Sequence, residues 1–369
     1  MLSPRDEADV AEILATSDGP LEPFAGGTKR CVGRLVDAQG LDLSALSGIL
    51  DYEPRELVLT ARAATPLEDV ERALSEHSQR LAFEPPDWTR LLGTSGRPTL
   101  GGALAANLSG SRRIAAGAAR DHFLGLRAVC GRGERFKAGG RVVKNVTGYD
   151  LPKLLAGSWG TLAVLTEVTV RVHPTPEHEC TLLLPAAGAA AAVPTMSAAL
   201  GSSCDVSGAA FCPTEGTALR LEGFRASVAA RAAMLLEQIG ALDAVRLESH
   251  RSQAFWRAVG EVRALADSPV VWRLSVPPSD AVRLVERLAP RDYLLDWGGG
   301  LVWIGAQTVE AERVRGALQS GHATLIKAPA EMRAATAVFQ PPPPSLARTM
   351  ARVKAAFDPR GRLNPGRMD

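Results

Sequence analysis

Apolar positions in the first 175 residues switch repeatedly between helical and strand spacing. Val10, Ile13 and Leu14 recur at helical intervals over residues 6–15, and residues 21–25 predict a strand running into Gly26-Gly27-Thr28. A further strand is predicted over residues 56–61. Thr65-Pro66-Leu67-Glu68 then has the form of a capping box with proline at the first helical position, opening an amphipathic helix through Val70 and Leu74. The richest patterning lies in residues 139–174, GGRVVKNVTGYDLPKLLAGSWGTLAVLTEVTVRVHP. It predicts a strand, a Gly-Tyr-Asp turn, a helix over residues 151–156, a Gly-Ser-Trp-Gly-Thr turn and a long strand. Asp150 is placed to cap that helix, Pro152 falls in its first turn, where a missing N–H costs little, and Gly157 ends it. Val164, Val168, Val170 and Val172 are expected on one strand face, with Glu167, Thr169 and Arg171 opposite.

Composition shifts near residue 175, where Pro174 and Pro176 punctuate the chain. Helical runs follow around residues 227–239 and 279–288, beside short apolar strands at residues 270–276 and 300–304. Two such helix-plus-strand units predict a second α+β domain, although no sequence repeat joins them. Gln340 and the four prolines after it read as a stiff extended connector. An amphipathic stretch over residues 346–357 leads to FDPRGRLNPGRMD, a tail rich in turn residues. The chain thus divides into residues 1–175, 176–335 and 336–369.

A length of 369 residues is ample for two domains with a sizeable core. The net charge of +2 gives no electrostatic reason to expect a nucleic-acid partner. The first residues, MLSPRDEADVAEIL, lack the basic-then-apolar order of a leader peptide. The stretch LLLPAAGAAAAVPTMSAAL is mostly alanine, carries Pro185 and Pro194, and makes a poor membrane span. A cytoplasmic location is expected, with membrane contact only peripheral and through partners. Cys31, Cys130, Cys180, Cys204 and Cys212 form no C-x-x-C pair, which argues against a disulfide framework, a zinc site or an iron–sulfur cluster held by this chain alone. Asn107-Leu-Ser and Asn145-Val-Thr match the glycosylation sequon and are read as coincidence.

Several common site patterns are missing from the sequence: the G-x-x-x-x-G-K-[ST] phosphate loop, G-x-G-x-x-G, H-E-x-x-H and G-x-S-x-G. His173 and His178 flank two prolines and read as a domain-boundary turn rather than a metal pair. Three glycine-bearing segments remain. Pro23-Phe-Ala-Gly-Gly-Thr-Lys29 suits either a tight turn or a nest of backbone N–H groups for a phosphate oxygen. Leu100-Gly-Gly-Ala-Leu-Ala-Ala-Asn-Leu-Ser-Gly110 suits either a close-packed helix or a wall of small residues against a flat ligand, with Asn107 and Ser109 in reach. In residues 139–174, Gly160 leaves no side chain between the backbone and a large ligand. Between Ser111 and Lys144 lie nine Lys or Arg and two acids. The interleaved aromatics are mainly Phe123 and Phe136, too sparse for base stacking, so an acidic partner surface or charge near a diphosphate is the preferred reading.

These three segments, in this order, resemble the FAD-binding domain of the vanillyl-alcohol-oxidase/p-cresol-methylhydroxylase (PCMH-type) flavoproteins. The ending Phe357-Asp-Pro-Arg-Gly-Arg-Leu-Asn-Pro-Gly-Arg367 is similar to that of the D-2-hydroxy-acid dehydrogenase branch. More narrowly, the run from Leu100 to Leu162 resembles the FAD-binding E subunits of bacterial glycolate oxidase (glycolate dehydrogenase). The resemblance implies an α+β fold: a PCMH-type FAD-binding domain of two α+β subdomains over residues 1–175, a ferredoxin-like α+β cap domain over residues 176–335, and a C-terminal segment, residues 336–369, packing back on the FAD domain. It implies that Ala25, Gly26, Gly27 and Thr28 wrap the FAD pyrophosphate with backbone donors. Gly101, Gly102, Asn107, Ser109 and Gly110 would line the second side of the flavin site. Gly148, Tyr149, Gly157, Ser158, Gly160 and Thr161 would form turns against the cofactor, Val164 would meet the adenine end through its backbone, and Asn364 would come near the isoalloxazine. Some relatives attach flavin through a histidine directly after the Gly-Gly pair; Thr28 stands there in this chain, so FAD is expected to be noncovalent.

The departure from the family is a His-x-Gly-Asp-Gly-Asn-x-His segment, which supplies metal- and acid-binding imidazoles in the catalytic relatives. This chain lacks it, and His250 and His322 stand alone. Oxidising a 2-hydroxy acid needs a base for the hydroxyl proton and a cation for the carboxylate. The sequence names neither, and the catalytic residues stay unassigned. The resemblance therefore implies an FAD-binding subunit of a glycolate-oxidising complex. Its implied partners are a second FAD-binding subunit, holding the hydroxy-acid site, and an iron–sulfur subunit that passes electrons toward the membrane quinone pool. An assembly subunit with a non-catalytic flavin, and a self-sufficient FAD-dependent dehydrogenase, are the alternatives.

Overall fold

The computed structural model describes residues 1–141, 148–241 and 243–368; Asn145 and the continuation of the strand expected after Gly139 lie outside them. Asp6 opens the first helix, Glu7–Thr16, its carboxylate accepting the Asp9 N–H at 2.9 Å. Strands β1 (Leu21–Phe24) and β2 (Gln39–Asp42) pair in parallel. Leu2 bridges to Leu41 and Leu363 to Leu21, so residues from both ends of the chain extend this small sheet.

A second sheet follows, built from β3 (Ile49–Glu53), β4 (Val58–Arg62), β6 (Phe123–Cys130), β7 (Arg135–Gly139) and β8 (Ala163–Arg171). Its order is β3-β4-β8-β6-β7, and β5 (Gln79–Arg80) pairs separately with β9 (His173–Pro174). The helix opened by Pro66 spans Leu67–Ser75, with Val70 and Leu74 buried. Its start differs from the expected capping box. Thr65 Oγ1 donates back to Arg62 O at 2.7 Å instead of accepting a helical N–H, and Glu68 pairs outward with Arg97. Proline presets the helical φ, so the helix begins without a side-chain cap. The Leu151–Leu155 helix keeps its predicted cap, Asp150 accepting from Lys153 N at 3.2 Å.

The expected face of β8 is broken by a bulge. Arg127 faces Glu167, but the next residue, Ala128, faces Leu165, which leaves Thr166 as an extra residue on β8. One extra residue inverts the alternation beyond it. Val168, Val170 and Val172 therefore pack with Ala163 and Leu165, whereas Val164 turns to the opposite face and packs near Val129 and Leu363.

The middle of the chain forms one antiparallel sheet of eight strands. These are β10 (His178–Leu184), β11 (Val206–Cys212), β12 (Gly216–Gly223), β13 (Val245–Glu248), β14 (Val270–Ser275), β15 (Asp292–Asp296), β16 (Leu301–Ala306) and β17 (His322–Lys327). Their order is β13-β10-β12-β11-β15-β16-β14-β17. Each half has the strand–helix–strand–strand–helix–strand pattern of a ferredoxin-like unit, and the halves join through β11 and β15 at Phe211 and Leu295. The repeat that sequence does not betray is thus present in the backbone. Helices Ala189–Leu200, Arg225–Ile239, Ala281–Leu288 and Ala311–Gly316 cover one face, burying Met196, Leu235, Leu284 and Val314 against Trp272 and Phe211.

The other face turns toward the first part of the chain. Ala218, Val271 and Trp303 pack there with Val32, Trp88 and Leu108, and Trp88 meets Trp303 edge to face at 5.5 Å. A buried ionic network crosses the same boundary. Arg220 on β12 holds Glu84 with two bonds of 2.8 and 3.0 Å, and Arg80 bonds Glu222 at 2.8 Å. Arg112 pairs with Glu222 and gives its backbone N–H to Glu84 at 3.0 Å. Burial opposes ionisation of both carboxylates, but Arg220 and Arg112 outweigh it and hold them below their ordinary range. Removing one member of such a cluster strands the others in a poorly solvated place. Arg220→Met is therefore expected to cost about 3–5 kcal/mol in urea unfolding; a variant as stable as the parent would show that the network does not hold the two parts together.

Candidate functional site

Two adjoining clefts lie where the parts of the chain meet. The first is framed by the loop after β1, the helix Leu100–Ala105, the Trp159-Gly160 turn and the tail. Leu43 N–H bonds Phe24 O at 2.8 Å as β1 ends, and the chain then turns through Gly26 and Gly27. The two glycines are needed for different reasons. A Cβ on Gly26 would lie 1.8 Å from Arg97 O, because two backbones cross there. Gly27 has room for a side chain but adopts φ +68°, a left-handed conformation that glycine takes without strain. Among the described residues, the N–H groups of Gly26, Gly27, Thr28 and Lys29 make no hydrogen bond to protein, and all four residues line the cleft. Successive free N–H groups of this kind form an anion-binding nest.

Lys29 and Arg30 add positive charge beside the nest. The Lys29 ammonium donates to Thr28 Oγ1 at 3.0 Å, and burial pushes its pKa down to about 8. Arg30 pairs with the buried Glu22, and Arg367 reaches the same carboxylate at 3.3 Å. Arg367 also donates to Lys29 O at 3.0 Å and Arg30 O at 3.3 Å, so the tail fixes the loop from behind.

The second glycine segment is both a close-packed helix and a cleft wall. Gly101 N–H bonds Ala63 O at 2.8 Å, and a Cβ on Gly101 would meet that oxygen at 2.6 Å. Gly102 N–H goes to Thr99 Oγ1 at 3.2 Å. These donors are consumed by protein, so the helix offers a smooth wall of Gly101, Gly102, Ala105 and Ala106. The turn from Gly157 to Thr161 docks on the end of this helix, with Gly157 N–H on Leu104 O and Trp159 N–H on Ala105 O at 2.9 Å. Gly160 and Val164 line the first cleft, with Ala25 and Asn364. Asn364 donates to Trp159 O at 2.9 Å and sits at φ +44°.

The second cleft lies between residues 106–110 and the free face of the eight-stranded sheet. Asn107, Ser109, Gly110 and Gly157 line it. Asn107 Oδ1 accepts the Arg120 N–H and Ser109 Oγ accepts the Ala119 N–H, which ties the loop to the helix Ala119–His122. Ala106 and Trp159 line both clefts and mark their junction. Ser158 and Thr161 shape the turn without lining either cleft, Thr161 Oγ1 donating to Ser158 O at 2.7 Å. Gly148 and Tyr149 are exposed and line neither, the Tyr149 side chain standing 92% in solvent. The sequence assigns no site role to Lys29, Trp159 or Arg367, nor to the sheet-side wall of the second cleft, to which His322 belongs. His173 packs edge to face on His122 at 5.3 Å, whereas His178 pairs with Glu248 at 2.7 Å, so the two boundary histidines serve different contacts.

Comparison with known proteins agrees with this geometry. Residues 1–139 match the family described as FAD binding domain. The glycolate oxidase subunit GlcE of Escherichia coli (strain K12) is 34% identical over 358 residues, 95% of this chain and 92% of that protein. The chain belongs to the GlcE family. The resemblance drawn from the glycine segments and the tail thus extends through the middle domain. GlcD, a glycolate oxidase subunit of Bacillus subtilis (strain 168), is 28% identical over 80% of this chain and 63% of its own length. An alkyldihydroxyacetonephosphate synthase structure aligns over 98% of this chain and 76% of its own with a TM-score of 0.69; at 15% identity it shows the shared fold alone. Among the described residues, no helix of this GlcE-family chain is long and apolar enough to cross a membrane.

The backbone crossing at Gly26 generates a test. Gly26→Ala must push two main chains apart and should weaken FAD binding more than about tenfold, or roughly 1.4 kcal/mol, read by quenching of flavin fluorescence on titration. Unchanged affinity with an unchanged melting temperature would show that the crossing does not set the loop.

Proposed function

We propose that the chain is the noncovalent FAD-binding subunit of a complex that oxidises glycolate, a 2-hydroxy acid, to glyoxylate. In this reading it works with a second FAD-binding subunit and an iron–sulfur subunit and meets the membrane only through them. The observation that carries the cofactor assignment is the run of N–H groups from Gly26 to Lys29, unengaged among the described residues, that lines the first cleft. A diphosphate needs several convergent donors, and Lys29 and Arg30 supply cations beside them. Ala25, Gly26, Gly27 and Thr28 hold the pyrophosphate, and Gly101, Gly102, Asn107, Ser109 and Gly110 line the flavin side. Gly157, Ser158, Gly160 and Thr161 form the supporting turn, Val164 meets the adenine end, and Asn364 approaches the ring system from the tail. Gly148 and Tyr149, in solvent and away from both clefts, have no part in this reading.

FAD, when bound, supplies a two-electron acceptor for hydride removed from the carbon that bears the hydroxyl. The protein's share is binding and orientation. Trp159 stands at the junction of the clefts and gives the flavin side an apolar edge that excludes water. The position after Gly26-Gly27 is a buried threonine, whose hydroxyl offers no imidazole for covalent attachment. For partners, the strand β7, last in its sheet among the described residues, exposes Arg135 and Lys137, while Arg132 beside it is paired with Glu134 at 2.7 Å; these two exposed cations suit an acidic protein surface. GlcE and GlcD are each named as subunits of glycolate oxidase, which is consistent with assembly.

The purified chain should show the flavin absorption bands and release all of its flavin into the supernatant when precipitated by acid. Flavin kept in the pellet would refute noncovalent binding, and a colourless chain that does not take up added FAD would refute the cofactor itself. Affinity should also depend on pH. A bound diphosphate favours the charged form of Lys29, so its pKa is higher in the complex than the value of about 8 in the free chain. Linkage then requires FAD affinity to be full below pH 8 and to fall as pH rises past it. In Lys29→Gln this loss should vanish; an identical pH profile in parent and variant would remove Lys29 from the site.

A further inference from the structure

The second cleft has an unusual charge pattern. Arg113, Arg120, Arg273 and His322 line it together with one carboxylate, Asp296. That carboxylate is already occupied, its Oδ1 accepting Trp297 N–H at 2.7 Å and its Oδ2 accepting Ser111 Oγ–H at 2.8 Å. Burial pushes its pKa up to about 6. The guanidinium carbon of Arg113 lies 4.6 Å from the centre of the Trp297 ring, and that of Arg273 lies 5.1 Å from the same ring and 5.9 Å from that of Trp303. Among the described residues, neither guanidinium has a carboxylate in ion-pair range or any hydrogen-bond acceptor.

This is costly. Both arginines are half-buried. Burial, reinforced by Arg113, pushes Arg273 down to about 10, and burial together with Arg120 lowers Arg113. Burial and the same two guanidinium groups lower His322, leaving a neutral imidazole on the rim. Two positive groups against one tryptophan ring, with no internal counter-charge among the described residues, suit an anion, and planar guanidinium forks match the two oxygens of a carboxylate. The tryptophan walls suit a short carbon skeleton, and Ser275 and Thr324 add neutral hydrogen-bonding groups suited to a hydroxyl or oxo substituent.

We infer that the Arg113–Trp297–Arg273 cluster is a carboxylate-binding site, so that this chain carries its own pocket for a small hydroxy or oxo acid beside its cofactor crevice. The inference rests on reading the first cleft as the FAD crevice, which the second adjoins at Ala106 and Trp159. It places an acid-binding site in this subunit in addition to any held by a second flavoprotein subunit. The acid is recognised by its carboxylate, not by a metal or by a histidine pair.

The test is a titration of the FAD-loaded chain with oxalate, an acid that carries no hydride to give, read by intrinsic tryptophan fluorescence and by calorimetry. Oxalate should bind and perturb the fluorescence, while oxamide, its neutral analogue, should do neither. Arg113→Gln and Arg273→Gln should each weaken oxalate at least tenfold with flavin content unchanged, and Arg273→Lys should restore part of the loss. Equal binding of oxamide, oxalate affinity in both glutamine variants equal to that of the parent chain, or sulfate binding as tightly as oxalate would each overturn the carboxylate assignment. Flavin content is measured on the same samples. A chain that holds FAD but ignores oxalate defeats this inference alone, whereas a chain that holds no FAD defeats the reading on which it rests.

Discussion

The relation between the two clefts depends on one buried ionic network. Arg220 comes from the eight-stranded sheet, Glu84 and Arg112 from the glycine-rich part, and Glu222 closes the ring with Arg80. Each charge in it is paired at least once, which is what makes burial of so many charges tolerable. The apolar contacts around it, Trp88 on Trp303 and Leu108 under the sheet, are non-directional and would permit sliding. Bidentate arginine–carboxylate bonds have a fixed geometry and would not. The network therefore sets the register of the sheet over the loop 106–110, and with it the width of the second cleft. Glu84 is held to this task by its backbone as well: Gly110 packs so closely on it that a Cβ there would lie 2.7 Å from Glu84 O.

The tail is the second constraint, and its turn-rich sequence acquires a separate role for nearly every residue. The Asp358 carboxylate accepts Leu363 N–H at 2.7 Å and holds Lys354, whose ammonium also reaches Thr161 O at 2.6 Å. Arg362 donates to Gly131 O at 2.7 Å and to Leu14 O. Leu363 extends the first sheet, Asn364 holds the Trp159 turn, and Arg367 holds the loop after Gly27. One short segment thus links the first helix, the small sheet, the glycine turn and the anion nest. A motif that reads in sequence as mere turn chemistry is a clasp.

What was legible in the sequence was whatever a local signal encodes. The Asp150 cap, the strand ahead of Gly26-Gly27 and the small-residue wall at Gly101-Gly102 are local, and they stand in the structure close to their expected places. Thr65 misled because a threonine three residues before a glutamate also fits a turn, and here its hydroxyl serves the carbonyls of Arg62 and Gly48. Val164 misled because a bulge depends on the partner strand and leaves no mark in the alternation itself. The second cleft was invisible for a different reason. Arg113, Arg273, Trp297, Trp303 and His322 come from a helix, three strands and the turn after a strand, and only the strand order of the doubled sheet brings them together. No spacing rule reads across such distances.

The contrast between paired and unpaired arginines ties these observations together. Arg80, Arg112, Arg220, Arg362 and Arg367 are all deeply or largely buried, and each is spent on a carboxylate or a carbonyl that joins distant segments. Burial of a guanidinium in this protein is thus normally matched by an internal acceptor, as the cost of desolvation demands. Arg113 and Arg273 depart from that rule together, both against the Trp297 ring in the second cleft. The nearest acid, Asp296, could have neutralised them but is turned to Ser111 and to the Trp297 backbone. Arg113 and Arg273, which share one ring and one cleft with no internal counter-charge among the described residues, are therefore placed to meet an anion that enters it. The same logic governs the N–H groups of Gly26 to Lys29, left free while the donors of the neighbouring Leu100–Ala105 helix are consumed by Ala63 and Thr99. In both clefts, function is written in the polar groups that the protein does not satisfy.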